Sequence, residues 1–366
     1  MLMATCWMQG TYNGGVVRVL IIGGTGFIGP FVIRALVQQG HQVAVFHRGE
    51  AKTSLPESVR RIHGNRNDLA AHRASFQALV PDVVLDFILS DDRQAQALME
   101  TSRGLTARVV AISSQDVYRA YGVLLGREPG PPQETPLTEE SEVRRQLHPY
   151  NVEHLRLAQA AFPWITEEYD KIPVERTVLG DAELPGTVLR LPMVYGPGDP
   201  GHRFFPTLKR IDDHRPAILL EESYARLHPP RGYVEDVASA IARATVSDRS
   251  VRKIYNIASQ RQFTELEWAQ KIGQAAGWKG SVIALPKDQT PSHLLSPLNT
   301  GQDWLVSSAR IRLELGYAEP VALEAGISRT IEWERANPPA QVDPKQFDYA
   351  AEDLALEQLR GQEKAL

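Results

Sequence analysis

A strand that runs into glycines and then straight into a helix constrains this chain more than any other feature. Val16 to Ile22 reads VVRVLII, a short apolar run rich in β-branched residues. GGTGFIG follows at once, from Gly23 to Gly29. PFVIRALVQQG then places Phe31, Val32, Ala35 and Leu36 at helical spacing before stopping at Gly40. The start of such a helix presents unpaired backbone N–H groups and the positive end of its dipole, and glycines let a pyrophosphate approach the backbone. Gly23, Gly26 and Gly29 are spaced G-x-x-G-x-x-G, with Thr25, Phe27 and Ile28 between them. A glycine triplet alone is equally a tight turn; the flanking strand and helix make it an anion cradle.

The same rhythm continues. HQVAVFHRG, VRRIHG, PDVVLDFIL and ARVVAISS are short apolar runs separated by helix-compatible stretches such as AAHRASFQALV. Strands alternating with helices predict βαβ units and an α/β fold, a doubly wound parallel sheet covered on both faces. A Pro- and acid-rich stretch, Glu128 to Glu142, reads as a loop over the top of that sheet. A helix from about Trp164 to Gly180 and the strand GTVLRLPMVYG come next. Beyond them prolines recur and the rhythm loosens, which predicts a second, smaller lobe. The expected organisation is a dinucleotide-binding domain over 16–191, a substrate-binding lobe over 192–338 and a charged helical tail over 339–366.

Composition removes several classes of function. Lys and Arg number 40 against 44 Asp and Glu, a net charge of −4, so no basic excess points to nucleic acid. Cys6 is the lone cysteine, which excludes a disulfide-stapled secreted domain. MLMATCWMQGTYNGG lacks the basic start and apolar run of a signal peptide, and no apolar stretch approaches the roughly 20 residues of a membrane helix. A cytoplasmic protein is expected. H-E-x-x-H, a Cys/His cluster, a G-x-S-x-G elbow and a G-K-[ST] phosphate loop are all missing from the sequence, so no metal site is expected.

GGTGFIG, SSQDVY (Ser113 to Tyr118), YDKIPVE (Tyr169 to Glu175), LRLPMVYGPGD (Leu189 to Asp199) and RGYVEDVA (Arg231 to Ala238) occur in one order. Together they resemble the extended short-chain dehydrogenase/reductases, the NAD-dependent epimerase/dehydratase family. IYNIAS and the helix-like FTELEWAQKIGQAAGW resemble that family's closing strand and helix, so the likeness covers about residues 16 to 335. It implies a Rossmann sheet, a nicotinamide cofactor, and a nucleotide-sugar or related polar carbonyl or alcohol as substrate. It also implies a homodimer packed partly through the Lys171 helix.

A carboxylate usually ends the second strand of an NAD site, whereas a 2′-phosphate needs a cation there. This strand ends in His47-Arg48-Gly49, with no acid before Glu50. NADP is therefore the favoured cofactor, NAD the second choice, with Arg48 on the 2′-phosphate or else a solvated surface residue. Asp68 and Leu69 sit where the family places an acid and an apolar residue against adenine; Asp68 is equally placed to cap a helix.

The family's chemistry uses a Tyr four residues before a Lys on one helix, with a Ser orienting the substrate oxygen. Ser114 matches that Ser, although a strand-end Ser can also cap its own turn. Lys171 matches the Lys, but Glu167 stands four residues before it and Tyr169 only two. On a continuous helix Tyr169 and Lys171 would point about 200° apart. Three arrangements stay open. The helix could begin late and let Tyr169 reach in; Tyr150, Tyr118 or Glu167 could substitute; or the Tyr role could be lost.

For the substrate, the likeness puts Arg231 on a diphosphate and runs Pro192, Met193 and Val194 past the nicotinamide. Tyr150, Arg203 and His202 are further candidates for the same cleft, and Asp236 would orient Arg231 or cap the helix after it. The expected activity is an NAD(P)-dependent oxidoreductase, epimerase or dehydratase. The rival is a catalytically impaired dinucleotide sensor, or an RNA- or protein-binding relative, and the net charge weighs against RNA.

Overall fold

A computed structural model describes residues 15–49 and 54–365; Cys6 and Glu50 lie outside them. Its strands are β1 (Arg18–Ile22), β2 (Gln42–His47), β3 (Arg60–His63), β4 (Val83–Asp86), β5 (Arg108–Ser114) and β6 (Gly186–Leu191). They continue with β7 (Met193–Tyr195), β8 (Ala217–Glu221), β9 (Arg231–Tyr233), β10 (Ile254–Asn256) and β11 (Ser281–Leu285). Seven of them form one sheet in the order β10-β6-β5-β4-β1-β2-β3, every pair parallel. The predicted doubly wound Rossmann sheet is what forms.

The near-continuous apolar character of β1 follows from burial on both sides. Val19 and Ile21 face Val32, Ile33 and Leu36 of the helix Gly29–Gln38, with Val237 and Ile241 of the helix Val234–Val246 behind them. Leu20 and Ile22 face Leu98 and Met99 of the helix Asp92–Ser102, and Val174 and Val178 of the helix Lys171–Gly180. Chain order reverses between β1 and β4, so the connections leaving their carboxyl ends diverge and open a crevice there.

Two expectations need correction. The cut at 191/192 is not clean, because β10 pairs with β6 and the helix Val234–Val246 covers the main sheet. What remains separate centres on the β8–β11 pair. The tail carries the helix Tyr349–Ala365, whose Ala355 and Leu356 pack on Ala217, Leu219 and Leu285. Glu352, fully buried, meets Arg210 at 2.6 Å. The helix expected from Trp164 starts only at Lys171, capped by the Asp170 carboxylate accepting from the Ile172 N–H at 2.8 Å. A separate helix, Val152–Ala161, precedes it and buries none of its residues. Among the described residues no helix is long and apolar enough to cross a membrane.

Candidate functional site

The glycine loop leaves β1 at the crevice and forms one end of a cavity of about 880 Å³. Gly23 and Gly24 adopt φ of +80° and +77°, a region open to glycine at little cost. Gly29 serves close packing, since a Cβ there would stand 2.2 Å from the Gly24 carbonyl oxygen. Gly26 is different: a Cβ there would meet nothing within 4 Å. The space over Gly26 opens into the cavity, which Thr25, Phe27 and Ile28 also line. This is the cradle a pyrophosphate requires, so the residues present fit a dinucleotide.

At the far side of the loop, His47 and Arg48 line the cavity as β2 ends. The His47 ring lies 4.8 Å from that of His63, its register partner on β3, and Nδ1 accepts from the Gly49 N–H. Burial, then the neighbouring His63 and Arg61, hold the His47 pKa below its ordinary value. Asp68 and Leu69 do not reach the cavity. Asp68 is exposed, and Leu69 is buried among Phe46 and Phe76 in the core. Asn65 caps the turn by accepting from the Asn67 N–H, and that register presents Arg66 and Asn67 instead. The buried Arg66 donates to Asp86 at 2.8 Å and to the Ile88 carbonyl at 3.2 Å. Its Nη1 finds no hydrogen-bond partner among the described residues.

Ser114, Tyr169, Lys171 and Tyr150 meet at the other end, where β5 stops. Because the helix begins at Lys171, Tyr169 lies just outside it and both side chains line the cavity. Glu167 sits in an exposed turn and does not line it. Tyr118 is excluded as well: its hydroxyl donates to Asn256 at 2.6 Å within the core, and burial pushes its pKa up to about 12. Ser114 Oγ accepts from the Asp116 N–H at 3.2 Å, so it caps its own turn while facing the cavity. Lys171 is fully enclosed, donating to the carbonyls of Leu89 and Ile112 and lying 4.9 Å over the Trp164 ring. Burial lowers its pKa to about 8.

The carboxylate at the centre is one that sequence reasoning passed over. Asp116 Oδ2 accepts from the Tyr169 hydroxyl at 2.9 Å and from the Tyr150 hydroxyl at 3.1 Å. The two tyrosine rings stack at 5.4 Å. Asp116 is 3% exposed and its Oδ1 has no partner among the described residues. Burial raises the Asp116 pKa; burial first, and then the Asp116 charge, drive that of Tyr169 well above the usual phenol value. An acid two residues after Ser114 in SSQDVY was the available signal. Asp86, the partner of Arg66, was not legible, being 20 residues away along the chain.

Pro192, Met193, Val194 and Arg203 line the cavity as expected, Arg203 already paired with Asp199. Arg231 does not. It is buried against Glu265 at 2.9 Å and lies 4.9 Å over the Trp268 ring, away from the cavity. Asp236 does not orient it, but accepts from the Val321 N–H at 3.0 Å, and burial pushes its pKa up to about 7. His202 turns outward to stack on Trp333 and pairs with Glu334 at 2.7 Å.

Comparison with known proteins agrees with this fold. The model of the NAD dependent epimerase/dehydratase family matches residues 19–258. The 2′-dehydrokanamycin reductase of Streptomyces kanamyceticus is 28% identical over 287 residues, 76% of this chain and 72% of that protein. The chloroplast stem-loop binding protein of 41 kDa b of Arabidopsis thaliana is 26% identical over 278 residues, 71% of this chain and 64% of that protein. Among solved structures, UDP-glucuronic acid 4-epimerase from Bacillus cereus, in complex with UDP-glucuronic acid and NAD, matches 87% of this chain and 99% of that one. Its TM-score is 0.61 at 17% identity, a likeness of fold.

Proposed function

The chain belongs to the NAD dependent epimerase/dehydratase family, and from that premise we propose that it is an NADP(H)-dependent oxidoreductase or epimerase acting on a sugar-like alcohol or carbonyl. The observation that carries the reading is the convergence of Ser114, Tyr169 and Lys171 on the cavity that begins over Gly26. His47 and Arg48, rather than a carboxylate, line the end of β2, which favours a 2′-phosphate over a free ribose hydroxyl.

A bound nicotinamide supplies the hydride acceptor or donor. The remaining chemistry is a proton transfer at the substrate oxygen, and the residues present divide that work. The Ser114 hydroxyl orients the oxygen and Tyr169 exchanges the proton with it. Tyr169 already donates to Asp116, so it can take a proton from an alcohol only by passing its own to Oδ2. In the reverse direction a protonated Asp116 reloads Tyr169. Burial, which raises the Asp116 pKa, eases the uptake of that proton. Lys171, with two of its three ammonium hydrogens on backbone carbonyls, would hold the nicotinamide ribose through the third.

The test is to follow reduced-nicotinamide absorbance with NADPH or NADP and a panel of nucleotide-sugars and simple glycosides, and to separate the recovered sugars by chromatography, because an epimerase returns the hydride to its own substrate. Cofactor turnover with any of them supports the reading. Cofactor that binds and never changes oxidation state, beside sugars that come back unaltered, favours the second reading, a dinucleotide-dependent binding protein, toward which the stem-loop binding relative points. A homodimer through the Lys171–Gly180 helix belongs to the same proposal, checked by light scattering.

A further inference from the structure

We propose that the substrate is a glycoside carrying no phosphate, held against aromatic rings instead of by a diphosphate clamp. This rests on the oxidoreductase reading and names the ligand of that same cavity. Beyond Ser114 and Tyr169 the wall is built from Tyr121, Tyr150, Phe162, Trp164, Met193 and Trp304. Tyr121 and Trp304 lie 4.7 Å apart with their planes at 40°, and Tyr150 stacks on Tyr169. The C–H face of a sugar ring is apolar and lies flat on such surfaces, while its hydroxyls reach the few polar groups between them.

The cations near the reacting end are largely committed to protein partners. Arg231 holds both oxygens of Glu265 through one nitrogen, at 3.0 and 2.9 Å, and lies outside the cavity. Arg203 lines the cavity and is tied through Nη1 to Asp199, whose side chain is 1% exposed, while its Nε has no hydrogen-bond partner among the described residues. Lys171 donates to two backbone carbonyls. His47, Arg48 and Arg66 border the cavity with Asn67, at the opposite end from Ser114. Detaching a buried arginine from its carboxylate leaves an uncompensated charge, a heavy penalty for any ligand to overcome. The charged group at the reacting end besides Lys171 is Asp116, an acid, which repels a phosphate when ionised.

The test is calorimetric titration of the protein, with and without saturating NADPH, using UDP, UDP-glucose, cellobiose, maltose and the glucosamine disaccharide of chitosan. At least one disaccharide is expected to bind ten times more tightly than UDP. Tyr121→Ala and Trp304→Ala are expected each to weaken that disaccharide at least tenfold while NADPH affinity stays within twofold. UDP or UDP-glucose binding as tightly as every disaccharide would overturn the inference. So would a disaccharide indifferent to both aromatic replacements. Failure to take up NADPH sinks the oxidoreductase reading instead, and the disaccharide-to-UDP ordering on the protein alone still decides this one.

Discussion

Replacing Gly26 by Ala separates a phosphate cradle from a mere tight turn. A Cβ at Gly26 meets nothing within 4 Å, and the residue lies outside the left-handed region, so the fold should accept the methyl. Losing glycine's freedom in the unfolded chain should even add about 0.4–1 kcal/mol of stability. A pyrophosphate seated over the loop would meet that methyl. Pushing it off one charge-assisted backbone hydrogen bond costs about 1.5–3 kcal/mol, or roughly 10- to 150-fold in affinity. Gly29→Ala should do the reverse, because its Cβ would stand 2.2–2.4 Å from the Gly24 backbone and the helix must move away from the strand. The assay is calorimetric titration with NADPH beside thermal melting of the protein alone. Gly26→Ala should melt at or above the parent and bind weakly; Gly29→Ala should melt lower. Should Gly26→Ala bind NADPH within threefold of the parent, no phosphate lies over Gly26 and the assignment of this loop as its cradle fails.

Three further outcomes follow from the buried groups. Tyr169→Phe should reduce turnover about 10²- to 10⁴-fold in steady-state kinetics, while Tyr150→Phe, which keeps Tyr169 on Asp116, should cost far less. Lys171 titrates at about 8 folded against 10.5 unfolded, so between those values the unfolded chain holds more protons and stability rises with pH. Urea denaturation should show a gain on the order of 1 kcal/mol from pH 8 to pH 9, missing in Lys171→Met. Arg66→Met leaves Asp86 buried without its partner and should cost about 3–5 kcal/mol in urea at pH 8. The loss should shrink as the pH falls, because burial already raises the Asp86 pKa and losing the Arg66 charge raises it further; Arg66→Met with Asp86→Leu should recover most of it.

Much of the fold was legible because its determinants are local. The apolar runs at β1, β2, β4 and β5 carry the marks of strands buried on both faces, and Gly23 to Gly29 carry their backbone requirement in their own residue type. Partners chosen across the fold were not legible. Leu69 looks like a base-packing residue in sequence, yet core burial between Phe46 and Phe76 claims it and rotates Arg66 toward the cavity. Arg231 looks like a phosphate ligand until Glu265, 34 residues on, is folded against it.

The broken Tyr-to-Lys spacing shows why a motif is better read as geometry than as a count. Tyr and Lys four apart on a helix is one way of facing two side chains the same way. Asp170 supplies another by ending the helix between Tyr169 and Lys171, so a spacing of two suffices once the backbone there is extended. The electrostatics change with it. Lys171 spends two of its three donors on the carbonyls of Leu89 and Ile112, and Tyr169 spends its proton on Asp116, so the pair no longer favours a phenolate. A site of this kind should therefore lean on the carboxyl. Asp116→Asn keeps the size and one oxygen but can neither store nor return a proton. It should abolish turnover in the direction that oxidises an alcohol and leave NADPH affinity within twofold. Asp116→Glu should restore part of the rate with a displaced pH optimum. If Asp116→Asn oxidises as fast as the parent, Tyr169 does not discharge through Asp116.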